Sequence, residues 1–341
     1  MTPSDIQEIN NAIVASRARW EAEENPVTKM GRSEMLKRLG FVPKPGDKSL
    51  HEREIISKTN FNAFLTSRPV ATEYPVTYDL RNVGGQNFIT SVKDQGPCGS
   101  CVAFGTVATV EGTFRKQLGD SNLDVDYSEA QLYYCYGDKN CGDGWNPGDA
   151  LDNFKNDGVA DESCYPYTAK DQDCNLCQNW HKRLTKITGW HSLGFFTDFS
   201  PTDMKKWIST RGPLIACFTV YDDFYAYSSG IYSHVWGNEA GGHCVSVVGY
   251  DDTQQYWICK NSWGTGWGRE GGFFRIAYGQ CGIDVQMHAI DGILYSLREA
   301  LRRSNYSFPA SIRRIAATLP FFNATPPISI REFLLYFPPN F

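Results

Sequence analysis

Eleven cysteines, all between Cys98 and Cys281 in a chain of 341 residues, constrain this sequence more than any other feature. Such clustering implies a disulfide-bearing domain, an odd free thiol or a metal site. Spacing argues against metal. The two CxxC elements start at Cys98 and Cys174, too far apart for a finger, and the six histidines include no HxxxH pair. No metal or organic cofactor is expected. Disulfides point to an oxidising environment, so an extracellular or lysosome-like compartment is favoured. The opening MTPSDIQEINN carries Asp5 and Glu8 and no apolar signal region.

Charge is unevenly spread. Residues 1–72 sum to +2, residues 73–291 to −11 and residues 292–341 to +4. Nucleic acid is excluded as a partner, because phosphate binding needs clustered positive charge. A 14% aromatic content argues against disorder. No apolar run reaches about 18 residues, so no membrane span is expected.

The spacing of Ile6, Ile9, Ile13 and Trp20 predicts a helix over 4–24 with Ser4 as N-cap. A second helix is expected over Ser33–Leu39, and 41–72 reads as irregular. Ala103, Val107, Val110 and Phe114 predict a buried helix starting at Cys101. Residues 125–213 read as loop-rich. Strands are expected at Leu214–Val220, His243–Tyr250, Tyr256–Lys260 and Gly272–Ala277. The tail after Asp291 starts as an amphipathic helix through Ile293, Leu294, Leu297 and Leu301. Helices first and strands later give an α+β class.

Three strings carry chemistry. In Gln95-Gly-Pro-Cys98-Gly-Ser-Cys101, Cys101 opens a helix, where unpaired N–H groups and a partial positive charge favour the thiolate. Gln95 is placed to offer an amide N–H to a developing oxyanion. In Gly241-Gly242-His243-Cys244, His243 starts an apolar strand and supplies a base. In Lys260-Asn261-Ser262-Trp263-Gly264, Asn261 supplies an amide that orients the imidazole if the two strands pair. Read singly, Cys98 and Cys101 also fit a redox CxxC pair, Gln95 a loop amide and Asn261 a turn.

Together these strings resemble the papain-like cysteine peptidases, the family that includes the cathepsins, over about residues 74–290. Asp79-Leu-Arg81, Cys141-Gly-Asp-Gly144 and Tyr165-Pro-Tyr167 are also similar. The resemblance implies a two-lobed papain-like fold: a helical lobe, a β-barrel-like lobe and an N-terminal pro-segment. It implies Cys101 as nucleophile, His243 as base and acid, Asn261 as orienting residue and Gln95 as oxyanion donor. Trp263 would shield the His–Asn bond, Gly144 would pair with the substrate backbone, Gly242 would border the cleft, and Gln286 would floor the main specificity pocket, with a preference for neutral side chains. The implied bridges are Cys98–Cys141, Cys135–Cys174 and Cys164–Cys177, leaving Cys217, Cys244, Cys259 and Cys281 free. Val102, Asp143 and Gly242 depart from the residues usual in the family.

The expected organisation is an inhibitory pro-segment over 1–72, cut between Leu65 and Tyr74, a peptidase domain over 73–291 and an extension over 292–341 carrying sequons at Asn305 and Asn323. The expected function is hydrolysis of peptide bonds in protein or peptide substrates, as an endopeptidase, by a monomer made as a zymogen. The alternatives are a silent binding homologue and a thiol-disulfide oxidoreductase, which a Cys98–Cys141 bridge would exclude.

Overall fold

The computed structural model describes residues 1–67, 74–194 and 200–295. The first helix, α1 (Pro3–Ser16), is capped by Thr2, two residues before the expected Ser4. Thr2 accepts the Asp5 N–H, and the Asp5 carboxylate accepts the Thr2 N–H, a reciprocal cap ahead of Pro3. The helix ends at Arg17, whose φ of 54° is left-handed. The rest of the expected 4–24 helix is strand β1 (Arg19–Ala22). Here Trp20 and Ala22 alternate inward, and Trp20 meets Tyr227 and Tyr232. Tertiary burial of one indole overrides a helical period.

Helix α2 (Arg32–Leu36) follows. Residues 50–67, expected to be irregular, form α3 (Leu50–Ser67), closed at its start by reciprocal Ser49–Glu52 bonds. Its inward residues Arg53, Ser57 and Phe61 are four apart but mostly polar, so no apolar period announces it.

Helix α4 (Cys101–Leu118), which opens on Cys101 as expected, is buried for most of its length. The stretch expected to be loop-rich also holds α5 (Pro147–Asn156), β3 (Lys186–Gly194) and α6 (Pro201–Thr210). The remaining strands are β2 (Thr77–Asp79), β4 (Leu214–Tyr221), β5 (Tyr227–Tyr232), β6 (Glu239–Asp251), β7 (Tyr256–Lys260), β8 (Phe273–Ala277) and β9 (Gln286–Leu294). They form one sheet in the order β1-β5-β8-β7-β6-β4-β9-β3, with β2 pairing β6. Ile293 and Leu294, expected to open a tail helix, instead finish β9 against Ile187 and Lys186. Leu297, Leu301 and both sequons lie outside the described residues.

Two cores fill the molecule, in keeping with a two-lobed α+β fold. One surrounds α4 with Leu132, Leu151 and Phe154; the other packs Phe224, Trp257, Trp267 and Phe274 inside the sheet. The lobes meet where Gly105 of α4 lies against the backbone of Cys244 on β6. Bridges join Cys98–Cys141, Cys135–Cys174 and Cys164–Cys177. The first closes a span of 43 residues and contributes about 2–4 kcal/mol. Cys217 and Cys244, expected to be free, form a fourth bridge. They are direct cross-strand partners in the β4–β6 ladder, with Cα atoms 4.0 Å apart. Cys101, Cys259 and Cys281 are free and buried. Among the described residues no helix is long and apolar enough to cross a membrane.

Trp20→Ala is expected to cost the full chain about 3 kcal/mol, measured by urea unfolding, because it removes the anchor of the strand that caps β5.

Candidate active site

His243 lies near the start of β6, paired with Phe218 of β4, and β7 delivers Asn261 one residue beyond its end. The antiparallel β6–β7 pairing brings the two together. His243 Nε2 donates to Asn261 Oδ1 at 2.8 Å, and the Ser262 N–H donates to the same oxygen at 2.8 Å. With Nε2 so committed, His243 Nδ1 is the nitrogen without a hydrogen-bond partner. The Trp263 ring covers the imidazole at a centroid distance of 4.9 Å and keeps water from the His–Asn bond.

Cys101 sits at the first position of α4, after Ser100, whose side chain makes no cap bond. Its sulfur is faced by the N–H groups of Cys244, Gly40 and Val102 and by its own. Gln95 is locked from several sides. Its backbone N–H donates to the Ser262 carbonyl at 2.9 Å, its side-chain oxygen accepts from the Ser262 hydroxyl at 2.6 Å, and its carbonyl accepts from the Tyr167 hydroxyl at 2.7 Å. The Gln95 Nε2 hydrogens go to the carbonyls of Cys98, at 2.7 Å, and Arg38, at 3.0 Å.

The Arg38 carbonyl belongs to the N-terminal segment, which crosses the cleft here. The Gly40 and Phe41 N–H groups both donate to the Gly242 carbonyl, at 3.1 and 3.0 Å. On the other wall the Trp145 N–H donates to the Gly40 carbonyl at 2.7 Å, and the Val42 N–H to the Trp145 carbonyl at 2.9 Å. Backbone pairing thus falls on Trp145, one residue past Gly144. Gly144 contributes space: a Cβ there would lie 2.1 Å from Val42 Cγ2. Arg38 is buried and paired with Asp94 at 2.8 Å.

This crossing sets the protonation of the pair beneath it. Burial pushes the Cys101 thiol up to about 11, outweighing its surrounding N–H groups. Burial pulls His243 down to about 4; the Asn261 bond opposes this, while the Arg38 charge adds to it. Both groups are neutral at pH 7, the opposite of a working thiolate–imidazolium pair.

Gln286 lines a cavity of about 350 Å³ with Phe41, Trp190, Ser192, Cys217 and His288, next to the crossing segment. Sequence reasoning did not reach three contributors. Ser262 orients both Gln95 and Asn261, and the KNSWG string contained it. Arg38 sits in a segment with no motif. The Cys217–Cys244 bridge depends on strand register. With Cys98 bound to Cys141, a Cys98–Cys101 redox pair is excluded.

Fold and site define a cysteine peptidase in its proenzyme form. The comparisons agree. The sequence model described as papain family cysteine protease matches residues 74–290, and the chain belongs to that family. It is 36% identical over 228 residues to cathepsin B-like CP2 of Giardia intestinalis, covering 64% of this chain and 74% of that one. The procathepsin B S9 of Trypanosoma congolense shares the fold with a TM-score of 0.67 at 23% identity, over 85% of this chain and 98% of that one. The digestive procathepsin L2 of the Tenebrio molitor larval midgut superposes with a TM-score of 0.66 at 25% identity, over 84% and 89%.

Two outcomes test the buried neutral pair. Alkylation of Cys101 by iodoacetamide in the intact chain is expected to rise about tenfold per pH unit from pH 7 to 10, as the thiolate fraction grows; a rate flat with pH would contradict it. Gly40→Ala places a Cβ 1.8 Å from the Gly99 carbonyl oxygen. It is expected to unseat the crossing and speed alkylation at pH 7 by at least about tenfold.

Proposed function

We propose that this proenzyme is an endopeptidase whose nucleophile is Cys101, with residues 1–72 as its intramolecular inhibitor. The Cys101 thiolate attacks the scissile carbonyl carbon. The tetrahedral oxyanion accepts from Gln95 Nε2 and from the Cys101 N–H. His243 gives its proton to the departing amine, leaving a thioester on Cys101. His243 then takes a proton from water, which attacks the thioester and frees the carboxylate product and the thiol. Asn261 holds the imidazole so that Nδ1 serves the sulfur.

One observation carries this reading. The Arg38 carbonyl accepts from Gln95 Nε2, whose other bond goes to the Cys98 carbonyl three residues before Cys101. A carbonyl oxygen already held by that donor supports Gln95 as the group that would receive a substrate oxyanion. The same contact supports inhibition, since the donor is spent while residues 38–42 fill the cleft. When they leave, the burial and the Arg38 charge that depress His243 go with them. His243 then gains protons and Cys101 loses its own.

The test is hydrolysis of an unfolded protein at mildly acid pH with reductant, for wild type, Cys101→Ser and a fragment starting at Tyr74. The wild type is expected to lose residues 1–72 and gain activity, and Cys101→Ser to remain intact and inert. Gln95→Ala is expected to lower kcat/KM by about 10²–10³-fold. A Tyr74-start fragment no more active than the intact chain would overturn the inhibitory role, and an active Cys101→Ser the catalytic one.

A further inference from the structure

Strand β6 carries His243 at its weakest end. Two of its opening rungs on β4 are glycines, Gly241 opposite Val220 and Gly242 opposite Thr219, so neither makes a cross-strand side-chain pair. Gly242 has no room to be larger, because a Cβ there would lie 2.4 Å from the Phe41 carbonyl oxygen, where a chain crosses the cleft. The next rung is His243 opposite Phe218. The one after it is Cys244 opposite Cys217, and this rung is covalent.

The two rungs hold opposite faces of the ladder. Phe218 sets its ring edge-on to the imidazole at 5.9 Å, in the core inside the sheet, while Cys217 and Cys244 belong to the core around α4. Cys244 reaches both members of the proposed Cys–His pair. It follows His243 in the chain, and its N–H faces the Cys101 sulfur. Burial raises the Cys101 thiol, and among the N–H groups that oppose burial that of Cys244 comes first. The same backbone receives α4, since a Cβ on Gly105 would lie 3.4 Å from the Cys244 carbonyl carbon. A tether on the Cys244 side chain therefore fixes base, donor and lobe contact together. Both sulfurs are buried here, but Cys217 lines the cavity that Phe41 and Arg53 of the N-terminal segment also line. Departure of that segment opens the Cys217 sulfur to a small thiolate.

We propose that the Cys217–Cys244 bridge positions His243 and the Cys244 N–H for the reaction, and that a small dithiol turns the matured enzyme down by opening it. The proposal rests on the readings that Cys101 and His243 do the chemistry and that residues 1–72 leave the cleft. In the exchange a thiolate of the dithiol attacks Cys217 Sγ, and Cys244 leaves as thiolate. The second thiol of the reductant then displaces Cys217 and closes the reductant's own disulfide. Two electrons pass to the bridge, and the two protons of the dithiol end on Cys217 and Cys244. Backbone hydrogen bonds and the Phe218 ring then hold the glycine end of the ladder, and the Cys244 N–H drifts from the Cys101 sulfur.

The test is hydrolysis of a fluorogenic peptide by matured enzyme across a series of dithiothreitol concentrations. Active sites are counted beforehand by titration with an irreversible thiol alkylator, and each bridge is followed by differential alkylation and mass spectrometry. As Cys217–Cys244 opens, kcat is expected to fall by at least about tenfold with KM changed by less than about threefold. The acid limb of kcat/KM against pH is expected to move to higher pH, because the thiolate loses a donor. Reoxidation with oxidised glutathione is expected to restore both. The double variant Cys217→Ala, Cys244→Ala is expected to show the low kcat at every dithiothreitol concentration. A bridge opened without loss of kcat, a loss that tracks another bridge, a bridge that stays closed until the enzyme unfolds, or a double variant with wild-type kcat and pH profile overturns the proposal. If the double variant gives no titratable sites, the wild-type series decides alone. Absence of hydrolysis in wild type with the bridge intact and a full thiol titre would count against the peptidase reading of Cys101 instead.

Discussion

The close passage of three backbones at Gly40, Gly99 and Gly242 is the constraint on which the rest of this molecule depends. A Cβ at Gly40 would lie 1.8 Å from the Gly99 oxygen, and one at Gly242 would lie 2.4 Å from the Phe41 oxygen. Only glycine lets the N-terminal segment lie this deep between the lobes. From that depth follow the Arg38 carbonyl on Gln95, the Gly40 N–H toward Cys101 and the sealing of His243 from water. The segment is therefore built into the site rather than laid over it.

Its remaining length serves that crossing. Upstream, β1 extends the sheet at β5 and Arg32 pairs with Asp222 at 2.6 Å. Downstream, α3 sets Glu54 under the Tyr221 hydroxyl at 3.0 Å and Ser57 against Asp284. Arg32–Asp222, Arg38–Asp94 and Lys44–Asp149 each join a cation of the segment to an acid of the domain that follows. The −11 carried by residues 73–291 thus acts locally, through particular carboxylates.

Much of the site was legible in the sequence because its chemistry is tied to local strings. Cys101 begins a helix whose apolar period is unmistakable, and His243 and Asn261 bracket strands of alternating or fully apolar residues. What escaped was set by distant contacts. The β1 strand exists because Trp20 fits between Tyr227 and Tyr232, more than two hundred residues away in sequence. Helix α3 buries Arg53 and Ser57, residues that a periodicity of apolar side chains passes over. The Cys217–Cys244 bridge needs the β4–β6 register, which no spacing encodes. The first turn of α1 was misread by two residues because Thr2 and Ser4 are both good caps, and Pro3 decides between them.

The depth of Cys101 has a consequence for how this chain matures as a covalent object. Eight cysteines must be oxidised into four bridges while three remain reduced, one of them Cys101, the proposed nucleophile. Disulfide exchange runs through thiolates, and burial pushes the Cys101 thiol up to about 11, away from the thiolate. In the language of synthesis, the N-terminal segment is a protecting group. It masks the Cys101 thiol while the bridging sulfurs pair.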